Sequence, residues 1–576
     1  MECENITYID IFGKQVKSLQ GIEHFPALQK LKCNHNEITS LDVSQNPALV
    51  QLSCNENPIT SLDVSQNPSL AALDCNHNKL TSLDVSKNTV LRELVCSNNQ
   101  LTTLNTGNNH TMMYLDCGDN QLTELDVSQN PALIYLNCAK NQLTRLDLQE
   151  HTALLELNCA NNQLTELDMS QNPALENIIC ADNQLSTLDI SKNPSLKGLH
   201  CSNNRLSTLD ASKHPALEQL TCDENQLIRI DVSESPSITE LTCRGNRLTE
   251  LDVSQNPALS FFSCASNQLT TLDVRKNSAL QFLMCGDNDL TTLDLQNNTD
   301  LMALECTKNQ LTSLDLRNNS KLVNFQVSGN RYPLPQKTDF DYTTLPGSFD
   351  VSKISNVVGG SFDPETHTFR FDEGKTCATY TYDLGNEHTE TFMLHFNPFE
   401  DVKIHHFYYD SVIWAVNEKI TDGITSTTFA PEHDCTRAQV VTFLWRAAGS
   451  PRPESYGNSP FQDVQDPSTF YYEAVLWAAG KGITDGITTD TFKPEGTCTR
   501  GQVVTFLWRF KDQPEPQNPD SSFVDVQDAG RFYYKAVLWA AENKITDGVA
   551  PNVFRPEGTC KRGQIVTFLY RCLNQG

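Results

Sequence analysis

Cysteine recurs at every twenty-first residue over nearly half of this chain. The run begins at Cys33 and ends at Cys306 without a gap. One globular core does not place a single residue type at a fixed spacing over such a length. A solenoid does, because each coil sets its equivalent residue beside that of the previous coil. The spacing therefore predicts a solenoid over residues 1–330, with about fifteen or sixteen coils and an irregular first coil.

The residues around each cysteine repeat as well. The frame L-x-x-L-x-C-x-x-N-x-L runs from Leu28 to Ile38, and T-x-L-D-V-S-x-N-P-x-L follows from Thr39 to Leu49. We expect short parallel strands on a concave face and an extended or 3₁₀ convex side, since about ten residues remain for the return path. The asparagine amide is expected to bind backbone groups of neighbouring coils. This frame resembles the leucine-rich repeat, and its 21-residue cysteine type resembles the bacterial internalin-like surface proteins.

Two interpretations of the cysteines are open. Adjacent coils lie about 4.8 Å apart, so Cα distances alone permit disulfides. However, every interior cysteine has two equivalent neighbours, and the chain has no C-x-x-C pair that would support a zinc site. We favour reduced, buried thiols that act as small apolar side chains, and we expect neither a metal nor a cofactor. The cysteines outside the run are too scattered to define a disulfide framework.

The charge balance excludes several classes of partner. The net charge is −28 and the isoelectric point is near 4.8, which argues against nucleic acid and against anionic membranes. No run of 18 apolar residues exists, so membrane insertion is not expected. The start, Met1 to Asn5, lacks the basic and apolar character of a signal peptide.

A different pattern follows the solenoid. The 21-residue period ends after Asn330, and alternating apolar and polar residues then occur in 366–371, 377–382 and 389–396. We expect a small all-β domain over residues 331–398 that covers the last coil, because an exposed solenoid end would leave apolar core uncovered.

The C-terminal third contains three copies of another repeat, with a period of about 62 residues. Each copy begins with F-x-D-V, carries an aligned tryptophan and the turn I-T-D-G, and ends in a segment such as Thr436-Arg437-Ala438-Gln439 followed by V-V-T-F-L-W-R. The copies span residues 399–449, 460–512 and 523–576. They resemble S-layer homology (SLH) domains. The resemblance implies an α-helical, three-pronged unit that binds secondary cell-wall polysaccharide, commonly its pyruvylated sugars.

The last segment of each copy offers an anion-binding pattern. Thr436 and Gln439 have capping-box spacing, which places Arg437 in the first turn of a helix, where the backbone N–H groups and the dipole favour a carboxylate. The same holds for Thr499, Arg500 and Gln502. In the third copy Lys561 replaces the capping threonine, so we expect a weaker site at Arg562. The alternative is that the arginines pair with Asp401, Asp463 or Asp525 and only order the fold. The aligned Trp414, Trp477 and Trp539 are expected in the core rather than stacked on sugar.

On the solenoid, the outward positions are mostly polar or small. Aromatic residues interrupt this pattern on two separate pairs of adjacent strands, Tyr114 with Tyr135 and Phe261 with Phe282, and Met284 lies two positions after Phe282. Exposed aromatic residues on consecutive strands suit contact with a protein or a glycan. The alternative is cross-strand pairing that only stabilises the sheet.

These features favour a non-enzymatic surface protein of a Gram-positive-type cell wall or S-layer. Its C-terminal copies would bind wall polysaccharide, and its solenoid would bind an unknown protein or glycan as an adhesin or receptor. The alternative is a structural component of the surface layer in which the solenoid is a spacer. The chain lacks G-x-S-x-G, H-E-x-x-H and P-loop motifs, and we expect no catalytic residues.

Overall fold

The computed structural model describes residues 5–403, 406–454 and 459–574. Most of the segment Met1 to Asn5, on which the signal-peptide interpretation rests, lies outside the described residues. The chain divides into two compact units. The first comprises residues 1–330 with 346–354 and 381–392, and the second comprises residues 331–345, 355–380 and 393–576.

The first unit is a solenoid with one long parallel sheet of 16 strands, each of three residues. Successive strands pair with a register of 21 residues, as in Leu136 with Leu157, except the first two, in which Ile9 pairs with Leu31. The sheet order is β1-β2-β4-β6-β7-β8-β9-β10-β11-β12-β14-β16-β17-β18-β19-β20, and two-stranded sheets β3-β5 and β13-β15 form on another side of the coils. The strands are β1 (Tyr8–Asp10), β2 (Lys30–Lys32), β3 (Leu41–Asp42), β4 (Gln51–Ser53), β5 (Leu62–Asp63), β6 (Ala72–Asp74), β7 (Glu93–Val95), β8 (Tyr114–Asp116), β9 (Tyr135–Asn137), β10 (Glu156–Asn158), β11 (Asn177–Ile179), β12 (Gly198–His200), β13 (Thr208–Asp210), β14 (Gln219–Thr221), β15 (Arg229–Asp231), β16 (Glu240–Thr242), β17 (Phe261–Ser263), β18 (Phe282–Met284), β19 (Ala303–Glu305) and β20 (Asn324–Gln326).

The solenoid core consists of stacked rows of leucine and cysteine. All fourteen periodic cysteines are fully buried and unpaired. Burial raises the pKa of their thiols, to about 12 for Cys138 and Cys180, so they stay protonated at neutral pH. Their complete burial agrees with the expectation that the cysteines pack as small apolar side chains.

An asparagine ladder runs beside the cysteines, as the repeat predicts. In each interior coil the amide group donates to three backbone carbonyls and its oxygen accepts one backbone N–H from the preceding coil. For Asn162 the acceptors are Cys138, Cys159 and Ala160 at 3.1–3.2 Å, and the donor is Leu143 at 2.9 Å. The ladder satisfies backbone groups at the turn that ends each strand.

A second ladder, which the sequence reading missed, is formed by the asparagine of the N-P-x-L segment. Asn172, for example, donates to the carbonyls of Leu148 and His151 at 2.8 and 2.9 Å. Histidine occupies this ladder position at His151 and His214. Each of these rings makes one hydrogen bond, through Nε2, to a backbone carbonyl 24 residues earlier, in the preceding coil; the acceptors are Val127 and Ile190 respectively.

The last coil has partners from two later segments of the first unit. The Leu316 N–H donates to the Leu384 carbonyl at 2.8 Å, and the Asn386 amide donates to the Leu316 carbonyl at 2.6 Å. Thr312 donates to the carbonyl of Pro346 at 3.0 Å. These bonds occupy backbone groups that a further coil would otherwise satisfy.

Seven strands follow the solenoid. They form a four-stranded sheet of order β21-β27-β26-β23 and a three-stranded antiparallel sheet of order β22-β25-β24. Their bounds are β21 (Arg331–Leu334), β22 (Phe340–Asp341), β23 (Ile354–Val358), β24 (Gly360–Asp363), β25 (Thr368–Phe371), β26 (Cys377–Gly385) and β27 (His388–Phe396).

The described residues of the second unit form six α-helices, two for each C-terminal repeat, and these share one apolar core. The second helix of one repeat packs on the first helix of the next, and α6 packs on α1. Trp477 and Trp539 are buried in this core and Trp414 packs against it, as expected. Among the described residues, no helix is both long and apolar enough to cross a membrane. The helices are α1 (Tyr409–Asn417), α2 (Arg437–Ala447), α3 (Tyr472–Gly480), α4 (Arg500–Phe510), α5 (Tyr534–Glu542) and α6 (Arg562–Asn574).

Candidate functional site

Two of the candidate arginines are held in place by capping boxes, as the sequence predicts. At the start of α2, Thr436 Oγ1 accepts the Gln439 N–H at 3.3 Å, and Gln439 Oε1 accepts the Thr436 N–H at 3.1 Å. Thr499 and Gln502 repeat this pair at the start of α4. Each box fixes the first turn of its helix and therefore the direction in which its arginine leaves the backbone.

The three arginines reach into neighbouring repeats and close a ring. Each guanidinium donates from Nε to the backbone carbonyl of the phenylalanine in the next repeat's F-x-P segment and lies over that phenylalanine ring. The third repeat's arginine contacts the first repeat. The bonds are Arg437 to Phe492, Arg500 to Phe554 and Arg562 to Phe429, all at 2.9 Å, with guanidinium-to-ring distances of 4.6–4.8 Å.

The aspartates of F-x-D-V support the same phenylalanine segments. Asp463 accepts the backbone N–H groups of Phe492 and Lys493 at 2.9 and 2.6 Å, and Asp401 and Asp525 act alike in their repeats. Among the described residues these carboxylates form no ion pair with the three arginines. The acidic residues thus order the loops whose carbonyls the arginines bind.

The helix N-termini are not free for an anion, which corrects one sequence expectation. The backbone N–H groups of Arg437 and Ala438 donate to the carbonyls of Gly496 and Pro494 at 2.8 and 3.0 Å. The corresponding amides of α4 and α6 are bound in the same way by the next repeat. Only the arginine side chains therefore remain as anion-binding groups at these helix starts.

The third repeat keeps this geometry although it lacks the capping threonine. Gln564 still accepts the Lys561 N–H at 3.3 Å, and the Lys561 ammonium pairs with Asp434 at 2.7 Å. Arg562 is as buried as its counterparts and also donates to Thr421 at 3.2 Å. The substitution removes one cap hydrogen bond without displacing the arginine.

A cavity of about 270 Å³ lies at Arg437. Residues of all three repeats line this cavity. The second repeat supplies most of its walls, including the turn Thr484-Asp485-Gly486 and the helix residues Gln502 and Arg509, and the third repeat supplies Phe532. Arg509 pairs with Asp485 at 2.8 Å at the rim.

Arg437 is a buried cation at this cavity. Its side chain is 3% exposed, burial lowers its pKa, and its Nη2 has no hydrogen-bond partner among the described residues. A buried charge without a counter-charge is costly, so an anionic group near this nitrogen would be stabilising. In the other two repeats the equivalent nitrogen of Arg500 and Arg562 reaches a threonine hydroxyl.

Sequence reasoning missed several cavity residues. Phe532 is 56% exposed, and its counterparts Phe407 and Phe470 are 62% and 57% exposed. Each of the three begins an F-Y-Y segment. The recurring F-Y-Y segment was the signal available in the sequence. Its first phenylalanine is exposed in every repeat, whereas an apolar residue that serves only the core is normally covered.

The structure also brings together three cysteines that the sequence reading treated as scattered. Cys435, Cys498 and Cys560 form a ring of backbone hydrogen bonds, in which each N–H donates to the carbonyl of another at 2.9–3.3 Å. All three thiols are buried, and burial raises the pKa of Cys435 and Cys498 to about 12. These cysteines pack at the point where the three repeats meet.

On the solenoid, the predicted aromatic pairs lie side by side on the long sheet. The rings of Tyr114 and Tyr135 stack face to face, with centroids 4.1 Å apart and planes 2° apart. The rings of Phe261 and Phe282 are 5.7 Å apart and tilted by 35°. Met284 is 36% exposed on the same strand as Phe282. The aromatic pairs therefore contact each other across strands, and all four residues remain partly exposed.

The S-layer homology domain family matches this chain three times, at residues 398–441, 460–504 and 522–566. The solenoid is similar to the functional domain of InlJ from Listeria monocytogenes, which includes a cysteine ladder. That structure is 31% identical to this chain, with a TM-score of 0.60, over 68% of this chain and 90% of the other.

Two proteins of Acetivibrio thermocellus are also similar. Cell surface glycoprotein 1 is 27% identical over 165 residues, and a cellulosome-anchoring protein is 22% identical over 160 residues. Each match covers 27% of this chain, and the chain spans 7% and 35% of these relatives respectively. S-layer homology domains attach proteins to the cell surface, and leucine-rich repeats form extended binding surfaces. The chain belongs to the bacterial cell-surface leucine-rich repeat proteins, with internalin-like cysteine-type repeats followed by three S-layer homology domains.

Proposed function

We propose that this protein is held on a Gram-positive-type cell wall by its S-layer homology domains, which bind pyruvylated secondary cell-wall polysaccharide, and that its solenoid binds a protein or glycan outside the wall. The observation that carries the first part is the buried, incompletely bonded guanidinium of Arg437 at the floor of a cavity.

The chemistry of the cavity suits an acidic sugar. A pyruvate ketal adds a carboxylate to a pyranose ring, and an arginine is the side chain best matched to a carboxylate. The polar groups of Thr484 and Gln502 lie beside Arg437 for sugar hydroxyls, and Phe532 offers an apolar ring surface. Arg500 and Arg562 occupy equivalent places, so the unit offers up to three related grooves.

The solenoid supports a binding role rather than a spacer role. A spacer needs only a polar surface, but the long sheet carries accessible aromatic and thioether groups at Tyr114, Tyr135, Phe261, Phe282 and Met284. Contiguous apolar groups on a soluble protein mark interaction surfaces.

The anchoring function is tested with the full chain and purified wall polysaccharide in a calorimetric titration. The proposal predicts saturable binding to the native polymer, and at least a tenfold loss of affinity after the pyruvyl groups are removed by mild acid. Equal affinity for the treated and untreated polymer would contradict the role given to the arginines.

A further inference from the structure

Two apolar patches lie on the long sheet of the solenoid, and each extends beyond the aromatic pair at its centre. The first apolar patch consists of Met113, Tyr114, Ile134, Tyr135 and Leu155. The second apolar patch consists of Phe261, Phe282, Met284 and Met302. Met113, Leu155 and Met302 are 41%, 39% and 41% exposed. All three belong to the same outward row of the repeat, four residues before the cysteine.

The first apolar patch is shaped for apolar side chains rather than for sugar rings. Sugars stack on an open aromatic face, but Tyr114 and Tyr135 cover each other's inner faces at 4.1 Å. One face of each ring is thus covered by the other ring, and the flexible side chains of Met113, Ile134 and Leu155 add apolar surface beside them. Methionine and branched aliphatic chains adapt to apolar groups of a protein partner.

The distance between the patches matches a short extended peptide. From β9 to β17 the sheet advances by six strand pairings, which corresponds to about 29 Å. An extended chain covers this distance with about nine residues.

The surface between the patches is acidic. In the two outward rows that lie three and four residues before each cysteine, the coils between the patches carry Glu156, Glu176, Glu218 and Glu240. Lys197 is the one lysine or arginine at these intervening positions, and its ammonium is already paired with Glu176 at 2.8 Å. A partner that crosses this strip gains from positive charge.

We infer that the sheet face binds an extended polypeptide segment with apolar residues about nine positions apart and lysine or arginine between them. This inference rests on the binding role proposed for the solenoid and narrows its ligand class to protein. The two apolar patches hold the ends of the segment, and the glutamates select its charge.

A phage library of random 15-residue peptides, selected on the full chain, tests this inference. Enriched peptides are synthesised and titrated by fluorescence anisotropy against the wild type and against Leu155→Ser and Met302→Ser. Both positions are well exposed, so the fold is retained, which circular dichroism checks. Ile228→Ser is the matched control, because Ile228 is 58% exposed but lies beside β15 of another sheet.

The inference predicts enriched peptides with the stated spacing and charge, at least tenfold weaker binding to each patch variant, unchanged binding to the control, and weaker binding at 0.5 M salt. Absence of enrichment, or enriched peptides that bind the patch variants like the wild type, would overturn it. If the chain instead binds a glycan on an array, and the patch variants lose that binding, the inference fails while the proposed receptor role stands. Loss of wall-polysaccharide binding would bear on the anchoring function alone.

Discussion

Arg562 donates from Nε to the backbone carbonyl of Phe429, 2.9 Å away and 133 residues earlier in the chain. Equivalent bonds join the first repeat to the second and the second to the third. The three S-layer homology domains therefore form one closed unit, and the cavity at Arg437 is lined by residues of all three.

Replacement of Arg562 by lysine should destabilise this closed unit. Lysine keeps the charge but loses the Nε hydrogen bond and the stacking on Phe429 and Phe443. We expect the free energy of unfolding to fall by about 2 kcal/mol. Urea denaturation followed by tryptophan fluorescence reports on this unit alone, because all five tryptophans lie in it. The control Arg531→Lys, at an exposed ion pair, should change little. An equal effect of the two substitutions would argue against the ring.

The same unit should lose stability in mild acid because of His395. Burial lowers the pKa of this histidine to about 4, and its ring is hydrogen-bonded to the Tyr409 hydroxyl. The unfolded chain, with a histidine pKa near 6.5, binds the proton first, so stability is complete above about pH 6.5 and declines as the pH falls toward 4. We expect a loss of about 3 kcal/mol over this range.

Urea titrations at pH 7.0, 5.5 and 4.5 measure this dependence through tryptophan fluorescence. His395→Gln should flatten the profile between pH 7.0 and 4.5, whereas His433→Gln, at an exposed position, should leave it unchanged. A wild-type profile that stays level over this range would show that His395 is not the titrating group.

In the solenoid, serine should be a poorer replacement for a ladder cysteine than alanine. Cys159 is fully buried among apolar side chains. Cys159→Ala leaves a small cavity, which costs about 1 kcal/mol, and Cys159→Ser places a hydroxyl where the thiol was apolar, which costs about 2 kcal/mol or more. Chemical denaturation followed by far-ultraviolet circular dichroism measures the free energy of unfolding of both variants. If serine were the milder substitution, the thiols would have a polar role that the packing account does not contain.

His151→Asn should stabilise the solenoid. His151 makes one hydrogen bond from the second ladder and leaves Nδ1 buried without a partner among the described residues. Asparagine at the neighbouring coil makes two such bonds. Restoring the repeat residue should therefore add about 1 kcal/mol of stability, measured by the same denaturation method. His110→Asn, at an exposed position, serves as the control, and a destabilised His151→Asn would mean that the coil has adapted to the imidazole.

The solenoid was predictable in detail because each contact of one coil recurs in the next. The place of Cys159 in the 21-residue period predicted the short strand before it, the pairing register of that strand and the inward direction of Asn162. The second ladder was missed because asparagine before proline is also typical of a turn, and only the structure shows that Asn172 points inward.

In the C-terminal unit the sequence placed Arg437 and Arg500 in first turns correctly, since capping boxes are local. It could not show that each arginine crosses to the next repeat, or that Phe532 of the third repeat lines a cavity at Arg437 of the first. Such contacts depend on how the repeats pack, and the local pattern carries no signal for that arrangement.

The most direct test of the account is sedimentation of the full chain with purified Gram-positive-type cell walls. The wild type should sediment with native walls and remain in solution with walls from which hydrofluoric acid has extracted the secondary polysaccharide. The variant Arg437→Gln should sediment measurably less. The triple variant with Arg500→Gln and Arg562→Gln should remain in solution under conditions in which its tryptophan fluorescence matches that of the folded wild type. Equal sedimentation of wild type and folded triple variant, or of native and extracted walls, would contradict the claim that these arginines hold the protein on the wall polysaccharide.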